Sequence, residues 1–66
     1  MAVQKIAMRI KALRTKRGWS QEELASRAGI TRGYLARVET GRHEPTLTTL
    51  GKLAKALRVK VSALVE

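Results

Sequence analysis

The stretch TRGYLARVETGR, residues 31 to 42, carries three arginines, Arg32, Arg37 and Arg42, against one acid, Glu39. Guanidinium groups stay charged at any physiological pH and present a planar fork of donors, so they bind anions and do not act as bases or nucleophiles. The residue types that catalysis needs are scarce. There is no cysteine, and the lone histidine, His43, cannot build a metal site. Glu22 and Glu23 are neighbours in sequence and point in different directions on a helix. With no Gly-rich phosphate loop and no Ser-His-Asp set, neither an enzyme nor a bound cofactor or metal is expected. The chemistry on offer is recognition of a polyanion.

Composition agrees. Fourteen Lys and Arg stand against five Asp and Glu, a formal charge of +9 over 66 residues. The excess is concentrated early, where Lys5, Arg9, Lys11, Arg14, Lys16 and Arg17 precede any acid. Such a balance points to nucleic acid first and to an anionic membrane second. A chain this short is one domain, residues 1–66, and hides only about 60% of the surface that it exposes when unfolded. Absence of cysteine fits a reducing, cytoplasmic setting. No apolar run approaches the roughly 20 residues that span a bilayer, and Lys5, Arg9 and Lys11 interrupt any signal-peptide core.

The periodicity is helical throughout, which predicts an all-α chain of five short helices. Ile6, Ile10, Leu13 and Arg17 place a first helix at about 3–16, ending near Gly18. Ser20 and Glu23 form a capping box for a second, from Gln21 to about Arg27, with Trp19 and Leu24 as its hydrophobic staple. Gly29 stops it, because glycine takes the left-handed conformation at a helix end without a Cβ clash. Thr31 caps a third helix that runs to about Thr40 and stops at Gly41. Residues 42–45 are a loop around Pro45, and Thr46 caps a fourth helix whose inward face is Leu47, Leu50, Leu53, Ala54 and Leu57. Arg58 occupies a position where glycine is more comfortable, which predicts strain. Val61, Leu64 and Val65 suggest a last helical turn.

Two helices joined by a few residues around a glycine cross steeply. Projected about its axis, the third helix turns Leu35 and Val38 inward and places Arg32, Gly33, Ala36, Arg37 and Thr40 on the opposite face. That face is basic, with small residues that let a partner come close. A helix of this width fits the major groove of B-form DNA.

The segments SQEELASRAGIT, GYLARVETGR and PTLTTLGKLAKAL resemble the helix-turn-helix family of phage lambda repressor and Cro proteins, the XRE-type regulators, over nearly the whole chain. The features are Gln21 opening the second helix, then Ala25, Gly29 at the turn, and Glu39 with Gly41. The resemblance implies a compact lambda repressor-like bundle, with the helix-turn-helix at 20–40, that binds double-stranded DNA to regulate transcription.

In that family the start of the third helix reads base edges. The role carries over to Arg32, Gly33 and Arg37, with Arg37 as the guanine reader, Arg32 divided between base and phosphate, and Gly33 admitting close approach. Gln21 matches a phosphate-bonding residue. Thr31, Tyr34, Thr40, Arg42 and Thr46 are positioned for further phosphate contacts, although Tyr34 could equally lie against the first helix and capping alone explains Thr46. Arg14 and Glu39 resemble a structural ion pair that pins the third helix. Lys60 stands where many relatives place a capping Ser, so a short last helix is expected.

One recognition helix touches few base pairs, so a homodimer on a palindromic operator is expected, with Val59, Val61, Leu64 and Val65 as the exposed self-complementary patch. The alternative from another class is an antitoxin or restriction-modification controller whose main partner is a protein. A basic membrane binder comes third, because the apolar face of its cationic first helix looks committed to the core. The chain reads equally as a complete minimal regulator, cytoplasmic and nucleoid-associated, or as the DNA-binding part of a longer protein.

Overall fold

The computed structural model describes residues 3–66 as five helices: α1 (Val3–Lys16), α2 (Gln21–Ala28), α3 (Arg32–Glu39), α4 (Leu47–Leu57) and α5 (Ser62–Val65). The helix ends follow local chemistry. Ser20, Thr31 and Thr46 each take an extended backbone and accept the amide three residues on with the side-chain oxygen, which satisfies one of the donors a helix start leaves open. The capping box at α2 is only half formed. The Glu23 amide bonds the Ser20 hydroxyl, but the Glu23 carboxylate turns to Arg27 at 2.7 Å instead of back to Ser20. A cation one turn along competes better for a carboxylate than a neutral amide does.

One core joins the helices. Ile6 and Ile10 of α1 meet Leu24, Ala25 and Ala28 of α2, Leu35 and Val38 of α3, and Leu50, Leu53, Ala54 and Leu57 of α4. Trp19, Ile30 and Tyr34 pack partly buried against them. α2 lies against both α3 and α4, while α1 runs beneath α3, α4 and α5.

Two expectations about this core need correction. Leu47 is 75% exposed and does not face inward. It sits on the first turn at the edge of the buried arc of α4, and Pro45 is the buried residue at that end. Leu64, expected on an exposed patch, is 0% exposed. α5 is four residues long and lacks a side-chain cap, so it depends on burying Leu64 to stay on the bundle. Val59, Val61 and Val65 remain half-buried around it.

α4 ends as expected, with Arg58 left-handed at φ 58° and ψ 43°. Its amide and that of Val59 close the helix onto Ala54 and Lys55 carbonyls. For a residue with a Cβ this conformation costs about 1–2 kcal/mol.

Leu64→Ala should destabilise the domain by about 2–5 kcal/mol in urea unfolding, against less than half of that for the half-buried Val65→Ala. Equal effects would show that α5 is not part of the cooperative core.

Candidate nucleic-acid interface

The turn between α2 and α3 is three residues long. Gly29 is left-handed at φ 71°, and its amide and that of Ile30 bond back to Ser26 and Ala25 carbonyls. Ile30 folds against the core, and Thr31 starts the new helix. α3 therefore leaves α2 at a fixed angle, with Leu35 and Val38 buried and Arg32, Gly33, Arg37 and Thr40 exposed on the far side.

The other end of α3 is fixed by a polar cluster. Arg14 of α1 donates from Nε and Nη2 to the two Glu39 carboxylate oxygens at 2.8 and 3.0 Å, and from Nη1 to the Trp19 carbonyl at 2.8 Å. Gln21 adds a third bond to Glu39, Nε2 to Oε1 at 3.1 Å. The Arg14 and Glu39 side chains are 12% and 3% exposed. A carboxylate taken that far from water is stable only when it is well supplied with donors, and three donors occupy most of its roughly four acceptor sites. Gln21 thus ties the start of α2 to the end of α3, a link the sequence did not suggest. Its amide keeps one N–H for an outside acceptor.

Gly41, left-handed at φ 78°, lets α1 approach: a Cβ there would meet the Gln4 side chain at 3.0 Å and its Cα at 3.3 Å. Gly33 differs. It sits in α3 with an ordinary φ, and a Cβ added to it would meet nothing within 4 Å. Nothing inside the protein requires glycine at that position.

The hydroxyls redistribute the expected phosphate contacts. Thr40 donates its single hydrogen to the Arg37 carbonyl at 2.6 Å and accepts the Arg42 amide at 3.3 Å. A phosphate oxygen only accepts, so Thr40 shapes the chain leading to Arg42 and is not itself a donor. Thr46 donates to the Thr49 hydroxyl at 3.0 Å, which leaves Thr49, missed in the sequence, with the free O–H. Thr31 only accepts, from the Tyr34 amide, and keeps its hydrogen. Tyr34 is half-buried on the core, and the His43 ring meets its edge at 5.1 Å and 80°, so His43 braces the loop against α3.

The arginines divide into two groups. Arg9 bonds the Ala63 carbonyl, Arg17 bonds the Leu57 carbonyl and lies over the Trp19 ring, and Arg27 lies over the same ring from 4.3 Å. Arg9, Arg14 and Arg17 hold helices together, and Arg27 ties α2 to the segment before it. Arg32, Arg37 and Arg42 are exposed, and among the described residues no side-chain hydrogen bond or ion pair involves their guanidinium groups. Of the four guanidinium groups left without such a partner, those of Arg32, Arg37 and Arg42 lie on and just beyond the outward face of α3, and that of Arg58 lies at the end of α4. No group of His, Cys, Asp or Glu that could hold a metal forms among the described residues, and no helix there is long and apolar enough to cross a membrane.

A helix-turn-helix family profile, HTH_3, matches residues 10–64. The chain belongs to this family. It is 45% identical over 60 residues to the immunity repressor protein of Bacillus phage phi105, covering 91% of this chain and 42% of the repressor. Among solved structures, the restriction-modification controller protein C.AhdI from Aeromonas hydrophila superposes with a TM-score of 0.90 at 39% identity over 94% of each chain. SinR, a master regulator for biofilm formation solved in complex with DNA, superposes at 0.88 with 35% identity, over 92% of this chain and 98% of that one. The chain spans well under two thirds of the length of the phage repressor.

Replacing Glu39 with Ala strands the Arg14 guanidinium and should cost about 3–5 kcal/mol, a large part of the stability of so small a domain. The apolar pair Arg14→Met with Glu39→Leu should cost less than that single change. Chemical denaturation of the three proteins checks the order, and a double variant weaker than Glu39→Ala would contradict it.

Proposed function

We propose that this helix-turn-helix domain is a sequence-specific double-stranded DNA-binding regulator of transcription, acting as a repressor with α3 in the major groove. The observation that carries the reading is the outward face of α3: exposed, unpaired Arg32 and Arg37 flanking a glycine that the fold does not need. With its side chains an α-helix is about 10–12 Å across, close to the width of the groove. Arg37 reads guanine through O6 and N7, and Arg32 reaches a base edge or the adjoining phosphate. Gly33 brings the backbone close to the bases.

Phosphates are held on either side. Gln21 offers its second N–H beside the open amides that begin α2, and Thr31 offers its hydroxyl. Beyond α3, Arg42 follows the braced loop, and the first turn of α4 presents the Thr49 hydroxyl with the unbonded amides of Leu47 and Thr48. The similarity to SinR, solved with DNA, and to a phage immunity repressor supports this assignment.

A homodimer on a palindromic site follows from the short reading head, with recognition helices about 34 Å apart. Leu64 is withdrawn into the core, so Val59, Val61 and Val65 are what the C-terminal region offers a second copy. A restriction-modification controller is the second reading of the biological setting, favoured by the likeness to C.AhdI. The domain carries no catalytic role in either reading and works in the cytoplasm, on the nucleoid.

Selection from a random duplex pool followed by titration across a salt series tests the proposal. Specific sites should bind about 10³-fold or more tighter than random duplex; equal binding at every salt concentration would end the idea. Arg37→Ala should relax preference at one base pair by about 1–3 kcal/mol. Arg42→Ala should weaken all sequences and lower the salt slope by about one, whereas Gln21→Ala, with no charge to lose, should weaken all sequences and leave the slope unchanged. Gly33→Ala should stabilise the fold by about 0.5–1 kcal/mol while weakening DNA binding. Gly51→Ala, which also meets open space in α4, should stabilise without that loss. A Gly33→Ala variant that binds as the parent does would remove the close-approach argument.

A further inference from the structure

On another part of the surface, the C-terminal ends of α2 and α4 border a depression of about 580 Å³. Arg27, Lys52, Lys55 and Arg58 line it, with Ala28 and Ala56 among the small residues between them, and no acid contributes to the lining. None of Arg32, Arg37 and Arg42 reaches it. We infer that this depression is a binding site for a compact polyphosphate anion, a triphosphate or pyrophosphate group free or carried on a small molecule, separate from the α3 face.

Cations at helix C-termini usually need no ligand, because they offset the partial negative charge of open carbonyls. Here five of the eight carbonyls at the two helix ends are already bonded. Ala25 and Ser26 accept the amides of Ile30 and Gly29, Ala54 and Lys55 accept those of Val59 and Arg58, and Leu57 accepts the Arg17 guanidinium. The cations therefore have fewer open carbonyls to offset than two bare helix ends would present.

Two features of α4 show that the sequence holds them there against local preference. Lys52 and Lys55 are three residues apart, so like charges share one helix face and repel. Arg58 then extends the same series from a left-handed position where glycine is free of the Cβ penalty. A side chain kept at a strained backbone position points to work for that side chain. Arg27 is held at the rim by its 2.7 Å bond to Glu23 and its place over Trp19, so one of the four is already oriented.

The lining of the depression selects the occupant. Its floor is alanine and glycine, with no large apolar or aromatic side chain to anchor a protein segment. The Arg58 fork, two ammonium groups and the Nη donors that Arg27 keeps beside its Glu23 bond suit several phosphate oxygens placed close together.

The test is a ¹H–¹⁵N NMR titration of the whole protein at fixed ionic strength with inorganic triphosphate, and in parallel with orthophosphate and a Glu-rich peptide. Triphosphate should shift the amides of Gly29, Ala56 and Arg58 and bind at least about tenfold tighter than orthophosphate. The decisive variant is Arg58→Gly, which relieves the backbone: its Tm should rise while triphosphate affinity falls at least about fivefold. Arg32→Gln should bind triphosphate as the parent does. Shifts centred on Arg32, Gly33 and Arg37, undiminished binding by Arg58→Gly, or tighter binding of the peptide in the depression would each overturn the inference. Because no DNA enters the measurement, its outcome is independent of the DNA-binding reading.

Discussion

Glu39 accepts three hydrogen bonds while almost wholly withdrawn from solvent, and that arrangement ties the end of α3 to α1 and to the start of α2 together. A helix of eight residues has little stability of its own. Its direction must come from what grips its ends. At one end the grip is the Gly29 turn with Ile30 in the core, and at the other it is this carboxylate. Between them, Leu35 and Val38 supply the apolar contact. The opposite face is then left rigid and bare, which is the condition for reading a surface with short side-chain reach.

The same logic explains how a basic protein of this size holds together. A charge of +9 on 66 residues repels itself, and a thin core cannot absorb much repulsion. Four of the arginines meet this by pairing within the protein. Arg9 and Arg17 bond carbonyls in α5 and α4, Arg14 meets Glu39, and Arg27 meets Glu23 and the Trp19 ring. Arginine can do this where lysine cannot, because one planar group bonds in several directions and still stacks on an indole. Positive charge is thereby both structural material and recognition surface, and only the geometry separates the two uses.

That separation marks the limit of what the sequence makes legible. Helix ends are local, so Ser20, Gly29, Thr31, Thr46 and the strained Arg58 were all readable from residue type and spacing. So was the outward face of α3, which follows from helical period alone. The division among the arginines was not, since Arg9 and Arg17 act across 54 and 40 residues of chain. The internal bonds of the Thr40 and Thr46 hydroxyls were not legible for a subtler reason: residue type gives a donor, but only the surroundings show where its single hydrogen points. Leu47 and Leu64 exchanged their expected exposures because helical angle says which side a residue faces, and not whether a neighbouring helix extends far enough to cover it.

Two positions depart from the conformationally best residue in opposite senses. Gly33 lies within a helix, where alanine is better, and no neighbour requires its small size. Arg58 is left-handed, where glycine is better. A sequence that specifies its fold well is expected to agree with local preference unless something else is gained. For Gly29 and Gly41 the gain is internal, a turn in one case and room for α1 in the other. For Gly33 and Arg58 nothing internal answers, and each sits among exposed cations, one between Arg32 and Arg37 and the other beside Lys55. Gly51 shows the Gly33 mismatch, and nothing in the structure explains it. The first two share a feature that Gly51 lacks: the departure changes what a negatively charged partner would meet. At one surface the missing side chain clears an approach, and at the other the retained side chain supplies a charge.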